Sequence, residues 1–143
     1  MKIKLSDLWN ARFAFAKIFN FQFNDAKLSY ILSRIAKKIN SELEDIDIQR
    51  MNIAQKHAEK DEKGQPKVKD AQFIIADLNK FNEEFADFLK TEVELDIWQI
   101  PFSAIKIVKP TPNEMILLEL FVKDLPTEEE LKEVLEKTKE LKE

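Results

Sequence analysis

The sequence contains no cysteine, one glycine and one histidine. Without cysteine, disulfides and thiolate metal sites are excluded, and one histidine does not supply the ligands of a typical zinc site. Because glycine interrupts helices, a chain whose only glycine is Gly64 is expected to form long helices. We therefore predict that the protein uses no metal and no cofactor.

Long apolar runs are also missing. No stretch approaches the roughly 20 apolar residues needed to span a bilayer. The first residues, Met1–Leu5, do not lead into the apolar core of a signal peptide. These features predict a cytoplasmic protein with no membrane contact.

Composition places the chain among globular proteins. Of its 143 residues, 44% are hydrophobic, including 11 Phe, and 35% are charged, which favours one helix-rich core over disorder. Residues 1–41 carry 8 basic and 2 acidic side chains, residues 42–123 carry 11 and 17, and residues 124–143 carry 4 and 8. This asymmetry could orient an assembly or attract a partner, although ordinary solvated helix faces also account for it.

Two helices are predicted in the first 59 residues. Ser6 is the expected N-cap of the first, which ends near Asn20, and Asn24 is the expected N-cap of the second, which ends near Glu59. Apolar residues three or four positions apart give each helix one buried face. These positions are Leu8, Trp9, Phe13, Ala16 and Phe19 in the first helix, and Leu28, Leu32, Ile35, Ile39, Leu43, Ile46 and Ile53 in the second.

A polar turn at residues 59–66 is expected to reverse the chain, because it has no apolar residue and contains both glycine and proline. A short extended stretch, Val68–Ile75, follows. Asp77 is then the expected N-cap of a third helix, which forms a long hairpin with the second. Its apolar face, which should fill a deep groove, is Leu78, Phe81, Phe85 and Phe88.

The apolar period changes to two in residues 93–97, which is typical of a half-buried strand. Pro101 is expected to end this strand or to set it at an edge. A strand needs a partner for its backbone groups. We therefore expect residues 105–108 to form a second strand that pairs with it.

The last two helices have clear start signals. Thr111 and Glu114 form a capping box around a proline at the first helical position. The apolar run Met115–Val122 that follows should be buried on most sides. A final helix starts after Pro126, with a narrow apolar stripe formed by Leu131, Val134 or Leu135, and Leu141.

Together these elements predict an α+β fold that is predominantly helical. Residues 1–123 are expected to form a single globular domain, built from a long helical hairpin and a small two-stranded β element. Residues 124–143 are expected to form an acidic, amphipathic helical tail. The narrow stripe of this tail predicts weak attachment to the domain.

Three segments together resemble small uncharacterised proteins of tailed bacteriophages and prophages. They are the charged turn Glu59–Gly64, the aromatic segment Lys80–Phe85 and the acidic segment Thr91–Ile97. The resemblance covers roughly residues 5–122 and includes no catalytic motif. It implies a phage setting, and hence the host cell cytoplasm, but no particular activity. Where this resemblance leads us to expect Tyr-Gly, the chain has His57-Ala58, and its start is richer in Phe, so neither feature inherits a role.

Few side chains are candidates for chemistry. His57 is the first, since an imidazole titrates near neutral pH, although a lone histidine is more often packed at the edge of a core. Two clusters of acidic side chains could bind a divalent cation. The side chains of the first cluster point to several faces of a helix, and those of the second alternate along a strand whose polar face is solvated. The two groups are Glu42, Glu44, Asp45 and Asp47, and Glu92, Glu94 and Asp96.

Two sets of residues are candidate binding surfaces. Exposed aromatic clusters usually mark interaction surfaces, with core filling as the alternative for this Phe-rich segment. Basic side chains beside aromatic rings could follow a nucleic-acid backbone. The predicted interaction surface is Trp9, Phe13, Phe15, Phe19, Phe21 and Phe23, and the predicted basic face is Arg12, Lys17, Lys27, Arg34, Lys37 and Lys38.

These observations favour a non-enzymatic, phage-encoded interaction protein, either an accessory of virion assembly or an effector that binds a host protein. Its partner would be another phage or host protein, or a second copy of itself in a homo-oligomer. The alternative is a nucleic-acid-associated protein that uses the basic face of residues 12–38. An enzyme that depends on His57 ranks third.

Overall fold

The computed structural model describes the backbone of residues 1–142 and the side chains of residues 1–139. It confirms an α+β fold that is predominantly helical. The helices are α1 Leu5–Asn10, α2 Arg12–Phe19, α3 Ala26–Lys56, α4 Leu78–Leu89, α5 Phe102–Val108, α6 Pro112–Leu118 and α7 Glu128–Lys142. The strands are β1 Lys2–Lys4, β2 Val68–Lys69, β3 Gln72–Phe73, β4 Glu92–Glu94, β5 Ile100–Pro101 and β6 Val122–Lys123, and a 3₁₀ turn, Glu119–Phe121, follows α6.

The predicted first helix is two helices, because the chain bends at Ala11. This residue has φ −88° and ψ 0°. The backbone carbonyl of Trp9 accepts the N–H of Ala11 and the guanidinium of Arg12, the latter at 2.7 Å, whereas in a continuous helix it would accept the N–H four residues later. The expectation of one helix capped by Ser6 is therefore wrong, and α1 has Lys4 at its N-cap.

The central helix α3 has the apolar face that its spacing predicts. Its N-cap is Asp25 and not Asn24, because the Asp25 carboxylate accepts two backbone N–H groups of the first turn. A negative charge is also favoured there by the helix dipole. The helix ends at Lys56, before the predicted Glu59. Its buried positions include Leu28, Leu32, Ile35, Ile39 and Ile46, while Leu43 and Ile53 are half-buried.

The polar segment after α3 reverses the chain as predicted, and the extended stretch beyond it is a hairpin. Gly64 has φ 79°, a left-handed backbone that glycine adopts without a steric cost. Strands β2 and β3 pair antiparallel around Asp70 and Ala71, whose φ angles are 52° and 64°, as in the primed turns of tight hairpins. A bridge between Ala58 and Ile75 then returns the chain to the end of α3.

The predicted helical hairpin of α3 and α4 is present. Asp77 caps α4 as expected. Glu84 of α4 contacts Lys56 at the end of α3. Asp96, which follows α4, contacts Lys38 in the first half of α3, so the two helices run antiparallel. The expectation of a deep groove for the apolar face of α4 is wrong, because its phenylalanines are only half-buried. They are Phe81, Phe85 and Phe88, and Leu78 is exposed.

The predicted pairing of residues 93–97 with residues 105–108 is wrong. Strand β4 pairs antiparallel with β1. The partner of β4 therefore comes from the start of the chain and not from residues 105–108. Residues 105–108 belong to α5, which follows Pro101 and ends before Lys109, a residue with φ 57°. Strands β5 and β6 form a separate parallel pair. The buried side chains of α5 are Ala104, Ile105 and Val108.

Helix α6 begins with the predicted capping box. Thr111 Oγ1 accepts the N–H of Glu114 at 3.2 Å, and the Glu114 carboxylate accepts the N–H of Thr111 at 2.8 Å. The expectation that Met115–Val122 is buried on most sides is wrong, since Ile116 is 71% exposed and Leu120 is 55% exposed. A short helix followed by a 3₁₀ turn packs only one side against the core. The buried positions of this run are Leu118, Phe121 and Val122.

Helix α7 contributes no buried side chain among those described. The core of the domain lies within residues 3–122. Thr127 caps the first turn of α7 by accepting the N–H of Glu130 at 3.2 Å. Leu141, a predicted stripe position, lies outside the residues whose side chains are described. The exposed apolar side chains of α7 are Leu131, Val134 and Leu135.

Candidate interaction surfaces

The Phe-rich segment is divided between the core and the surface. Phe15 is fully buried. Its ring is parallel to that of Phe19 at 5.7 Å and edge-on to that of Phe121 at 4.9 Å between centroids. Aromatic pairs of this kind stabilise a core beyond the area that they bury. The predicted interaction surface is therefore not one continuous face, and Phe15 belongs to the core.

Phe13 is the most exposed aromatic side chain of this set, with 73% of its surface in solvent. The guanidinium carbon of Arg12 lies 4.4 Å from the centre of its ring and 4.0 Å from the ring of Trp9, distances at which cations attract aromatic faces. Trp9 in turn meets Phe85 of α4 edge-on at 5.5 Å. Arg12 thus connects the exposed Phe13 ring to a ring that packs against the domain.

Phe21 and Phe23 lie in the loop between α2 and α3. Their ring centroids are 4.9 Å apart. Together with Leu32 of α3 they line a cleft of about 90 Å³, well below the roughly 300 Å³ of the smallest ordinary ligand pockets. This part of the segment is therefore a packed loop and not a small-molecule site.

Helix α6 presents an apolar surface that the sequence analysis did not predict. Ile116, Leu117 and Leu120 are exposed, and their three- and four-residue spacing makes them neighbours on one side of the helix and its 3₁₀ turn. Leu118, two residues after Ile116 and thus on the other side, is buried. The sequence does contain a signal for this surface. A continuous apolar run places apolar residues on both sides of a helix, and only one side can face the core.

One ion pair joins α2 to α6. Lys17 Nζ lies 2.9 Å from Glu114 Oε1, and the pKa of Glu114 is lowered, first by the backbone N–H of Thr111 and then by Lys17. Phe13 lies one turn before Lys17 on α2, and Leu117 lies one turn after Glu114 on α6, so each partner of this pair has an exposed apolar side chain one turn away on its own helix. We use the name α2–α6 surface for the exposed apolar side chains of α2, α6 and its 3₁₀ turn, which are Phe13, Ile116, Leu117 and Leu120.

The predicted basic face is divided between two helices. Arg12 and Lys17 lie on α2, where Arg12 packs on Trp9 and Lys17 pairs with Glu114. The other members lie on α3, and three of them line one groove of about 600 Å³. These three are Arg34, Lys37 and Lys38.

The α3 groove has mixed charge. Glu42 of α3 also lines it, and so do Glu94 and Asp96 on the opposite wall. Lys38 Nζ donates to the backbone carbonyl of Asp96 at 2.6 Å. Trp98, which is 56% exposed, borders the groove beside Arg34. Sequence reasoning missed Trp98, because only the fold brings this distant residue next to α3.

His57 lies at the end of α3, where α4 holds it in place. Its Nε2 is 2.5 Å from Glu84 Oε2, and Lys56 Nζ is 2.7 Å from the other carboxylate oxygen. The pKa of Glu84 is lowered, first by the hydrogen bond from Lys56 and then by that from His57. Both oxygens of the carboxylate are therefore engaged in joining two helices. Sequence reasoning did not identify Glu84, since no local pattern connects it to His57.

The acidic groups that were weighed as metal ligands include members with basic partners. Glu92 lies 3.2 Å from Lys2, and Asp47 lies 2.9 Å from Arg50. Among the residues whose side chains are described, no three His, Cys, Asp or Glu side chains come together as a cation site. We therefore assign no metal-binding role to either group.

None of the helices in the described part of the chain combines the length and the apolar character needed to cross a bilayer. No protein-family model, curated protein or solved structure matches this chain. The resemblance to small phage proteins therefore stays a prediction.

Proposed function

We propose that this chain is a non-enzymatic, phage-encoded protein-interaction module that acts in the cytoplasm of the host cell. The observation that carries the proposal is the α2–α6 surface, on which Phe13 and Ile116 are 73% and 71% exposed. The proposed partner is another protein, either a phage protein during virion assembly or a host protein that is bound by an effector.

The grouping of the exposed side chains supports this function. Single exposed apolar residues are ordinary on protein surfaces, whereas groups of them with a polar border favour protein interaction. Ile116 and Leu117 of α6 and Leu120 of its 3₁₀ turn form such a group. The Lys17–Glu114 ion pair lies beside it, and polar residues of this kind form the rim of typical interfaces.

Phe13 has the properties of an anchor residue. Aromatic and arginine side chains are enriched among the residues that dominate binding energies, and here the Arg12 guanidinium lies 4.4 Å from the Phe13 ring. This contact restricts the ring before binding, so less side-chain entropy is lost when a partner covers it. Complete burial of such a ring contributes about 1.5–3 kcal/mol.

Affinity capture with a double variant tests the proposal. We expect the wild-type chain to retain a specific protein from lysates of phage-infected host cells, and the Phe13→Ser/Ile116→Ser variant to lose it. The matched control is Tyr30→Ser on α3, where the side chain is 61% exposed, and it should retain the partner. Unchanged capture by the double variant, or an equal loss with the control, would contradict the proposal.

A second candidate function is nucleic-acid binding in the α3 groove. One observation favours it: three basic side chains line a groove that the exposed Trp98 borders, and such sites combine phosphate contacts with base stacking. Glu94 and Asp96 on the opposite wall would repel a polyanion. For that reason we rank this function second.

Fluorescence anisotropy with single-stranded DNA and RNA tests this second candidate over a salt series. Binding should weaken steadily as salt rises, because basic side chains that contact phosphates release counterions. Reversal of three groove cations should abolish it, whereas an equal charge reversal in the segment of residues 63–69, which runs from the polar turn into β2, should not. The two triple variants are Arg34→Glu/Lys37→Glu/Lys38→Glu and Lys63→Glu/Lys67→Glu/Lys69→Glu. Absence of binding at low salt, or equal effects of the two variants, would exclude this function.

A further inference from the structure

The last helix carries an apolar stripe that the domain does not cover. Leu131, Val134 and Leu135 are all exposed and lie on one side of α7, because they are spaced by three and four residues. The helix has 15 residues, a length at which an isolated helix is only marginally stable in water. A partner that packs on the stripe would therefore cover it and stabilise the helix at once.

The charges beside the stripe favour a second copy of α7 in the opposite direction. The first turn is acidic, with Glu128, Glu129 and Glu130, whereas Lys137 and Lys139 lie two turns later. In an antiparallel pair, the acidic turn of each helix meets the basic end of the other. A parallel pair would instead bring the two acidic first turns together at one end.

One antiparallel register satisfies the stripe and the charges together. When α7 is written as a heptad, Leu131 and Val134 take the a and d positions, and Glu130 and Lys137 take the two g positions. In an antiparallel pair, position a of one helix faces position d of the other. Leu131 then packs on Val134 of the second copy, and Glu130 faces Lys137 of the second copy. Symmetry repeats both contacts, and Leu135, at position e, lies at the edge of the seam and faces Glu128 of the second copy.

We propose that α7 is a self-association helix, through which two copies of this chain pair with their α7 helices antiparallel. The proposal goes beyond the function proposed above, since none of its residues belongs to the α2–α6 surface. Two helices of this length bury less than the roughly 1,200 Å² of a standard interface. The dimer is therefore weak, and the fraction of the protein that is dimeric rises with the protein concentration.

Sedimentation equilibrium of the full chain, from micromolar to millimolar concentrations, tests this proposal. The wild-type protein should show a monomer–dimer equilibrium. Glu130→Lys places lysine opposite Lys137 at both symmetric contacts, and Lys137→Glu places glutamate opposite Glu130 at both. Each single variant should weaken the dimer by about tenfold, because two attractive contacts become repulsive.

Combination of the two variants gives the sharper test. An equimolar mixture of the Glu130→Lys and Lys137→Glu proteins restores every opposite-charge contact and should form a heterodimer. The double variant Glu130→Lys/Lys137→Glu should recover the homodimer, and Val134→Lys should abolish it. Lys132→Glu, which reverses a charge outside the g positions, serves as the matched control and should dimerise like the wild type.

Three results would overturn the proposal. They are a wild-type chain that stays monomeric throughout, single variants that dimerise as tightly as the wild type, and a mixture that does not recover the dimer. Circular dichroism verifies that each variant keeps its helix content. If the dimer forms but the Phe13→Ser/Ile116→Ser variant still captures its partner, the function proposed above fails and the self-association stands.

Discussion

The imidazole of His57 and the carboxylate of Glu84 lie 2.5 Å apart, from Nε2 to Oε2, and join the end of α3 to α4. An ionised carboxylate only accepts hydrogen bonds, so the ring nitrogen that faces it carries the proton. Lys56 donates to the other carboxylate oxygen at 2.7 Å. One carboxylate thus receives donors from two consecutive residues and fastens the helical hairpin at this end.

Replacement of Glu84 by Gln should lower the free energy of unfolding at neutral pH and flatten its decline in acid. Lys56 and His57 hold the pKa of Glu84 below its ordinary value of 4.5, so the folded state favours the ionised form. This stabilisation is fully present above the unfolded pKa of 4.5 and is lost as the pH falls through the folded pKa. Urea unfolding across the acidic range measures the effect.

The neighbouring Glu83→Gln change is the control for that experiment, because Glu83 is exposed. Its stability should follow the wild-type pH dependence. If the Glu84→Gln protein lost stability in acid as steeply as the wild type, the Glu84 contacts would not contribute to the pH dependence.

Helix α3 should depend on Asp25 for its N-cap and not on Asn24. The Asp25 carboxylate accepts the N–H groups of Lys27 and Leu28 at 2.9 and 3.2 Å. Asp25→Ala should therefore reduce the free energy of unfolding by about 1 kcal/mol, whereas Asn24→Ala should change it by less than about 0.5 kcal/mol. Chemical denaturation measures the free energy of unfolding of both variants. A larger loss in Asn24→Ala than in Asp25→Ala would refute the assignment of the cap.

Phe13 and Phe15 should have opposite effects on stability and on binding. Phe15→Ala empties a fully buried site and should lower the free energy of unfolding by about 3–5 kcal/mol. Phe13→Ala removes an exposed side chain, so it should change stability by less than about 0.5 kcal/mol while weakening partner capture. Thermal unfolding compares them, and similar losses of stability in both variants would contradict the positions of these rings.

Deletion of residues 128–143 should leave the folding of the domain unchanged. The core lies within residues 3–122, and the described side chains of α7 are exposed. The midpoint of thermal unfolding should therefore stay the same at low protein concentration, while self-association disappears. A clear drop in the midpoint at low concentration would mean that α7 packs on the domain in solution.

The parts of the fold that the sequence predicts correctly are specified by neighbouring residues. Asp77 and Thr111 each accept a backbone N–H group three residues later. The buried face of α3 follows from apolar spacings within one helix. Such signals need no knowledge of the rest of the chain, so a single sequence is enough to read them.

Several of the errors arise where distant segments meet. Residues 105–108 were expected to form a strand because β4 needed a partner, but that partner is β1 at the start of the chain. The same limit hides the contact between Glu84 and His57 and the position of Trp98 beside Arg34. The local sequence does not indicate which distant segments come into contact in the folded chain.

The Phe-rich segment shows a second kind of limit. Phe13 and Phe15 are two residues apart, so they point to opposite sides of α2 and only one of them can enter the core. In the structure the buried one is Phe15, on the side of α2 that also carries Ala14 and Ile18. A count of aromatic residues therefore selects the segment as a whole, but it cannot separate its exposed residue Phe13 from its core residue Phe15.

Site-specific photocrosslinking measures most directly whether the α2–α6 surface binds a protein. A photoreactive phenylalanine analogue is placed at position 13 in one protein and at position 30 in another, where the native side chains are 73% and 61% exposed, and both are irradiated in infected host cells. We predict a discrete crosslinked protein from position 13 and none from position 30. The absence of an adduct at position 13, or the same adduct from both positions, would contradict the proposed function.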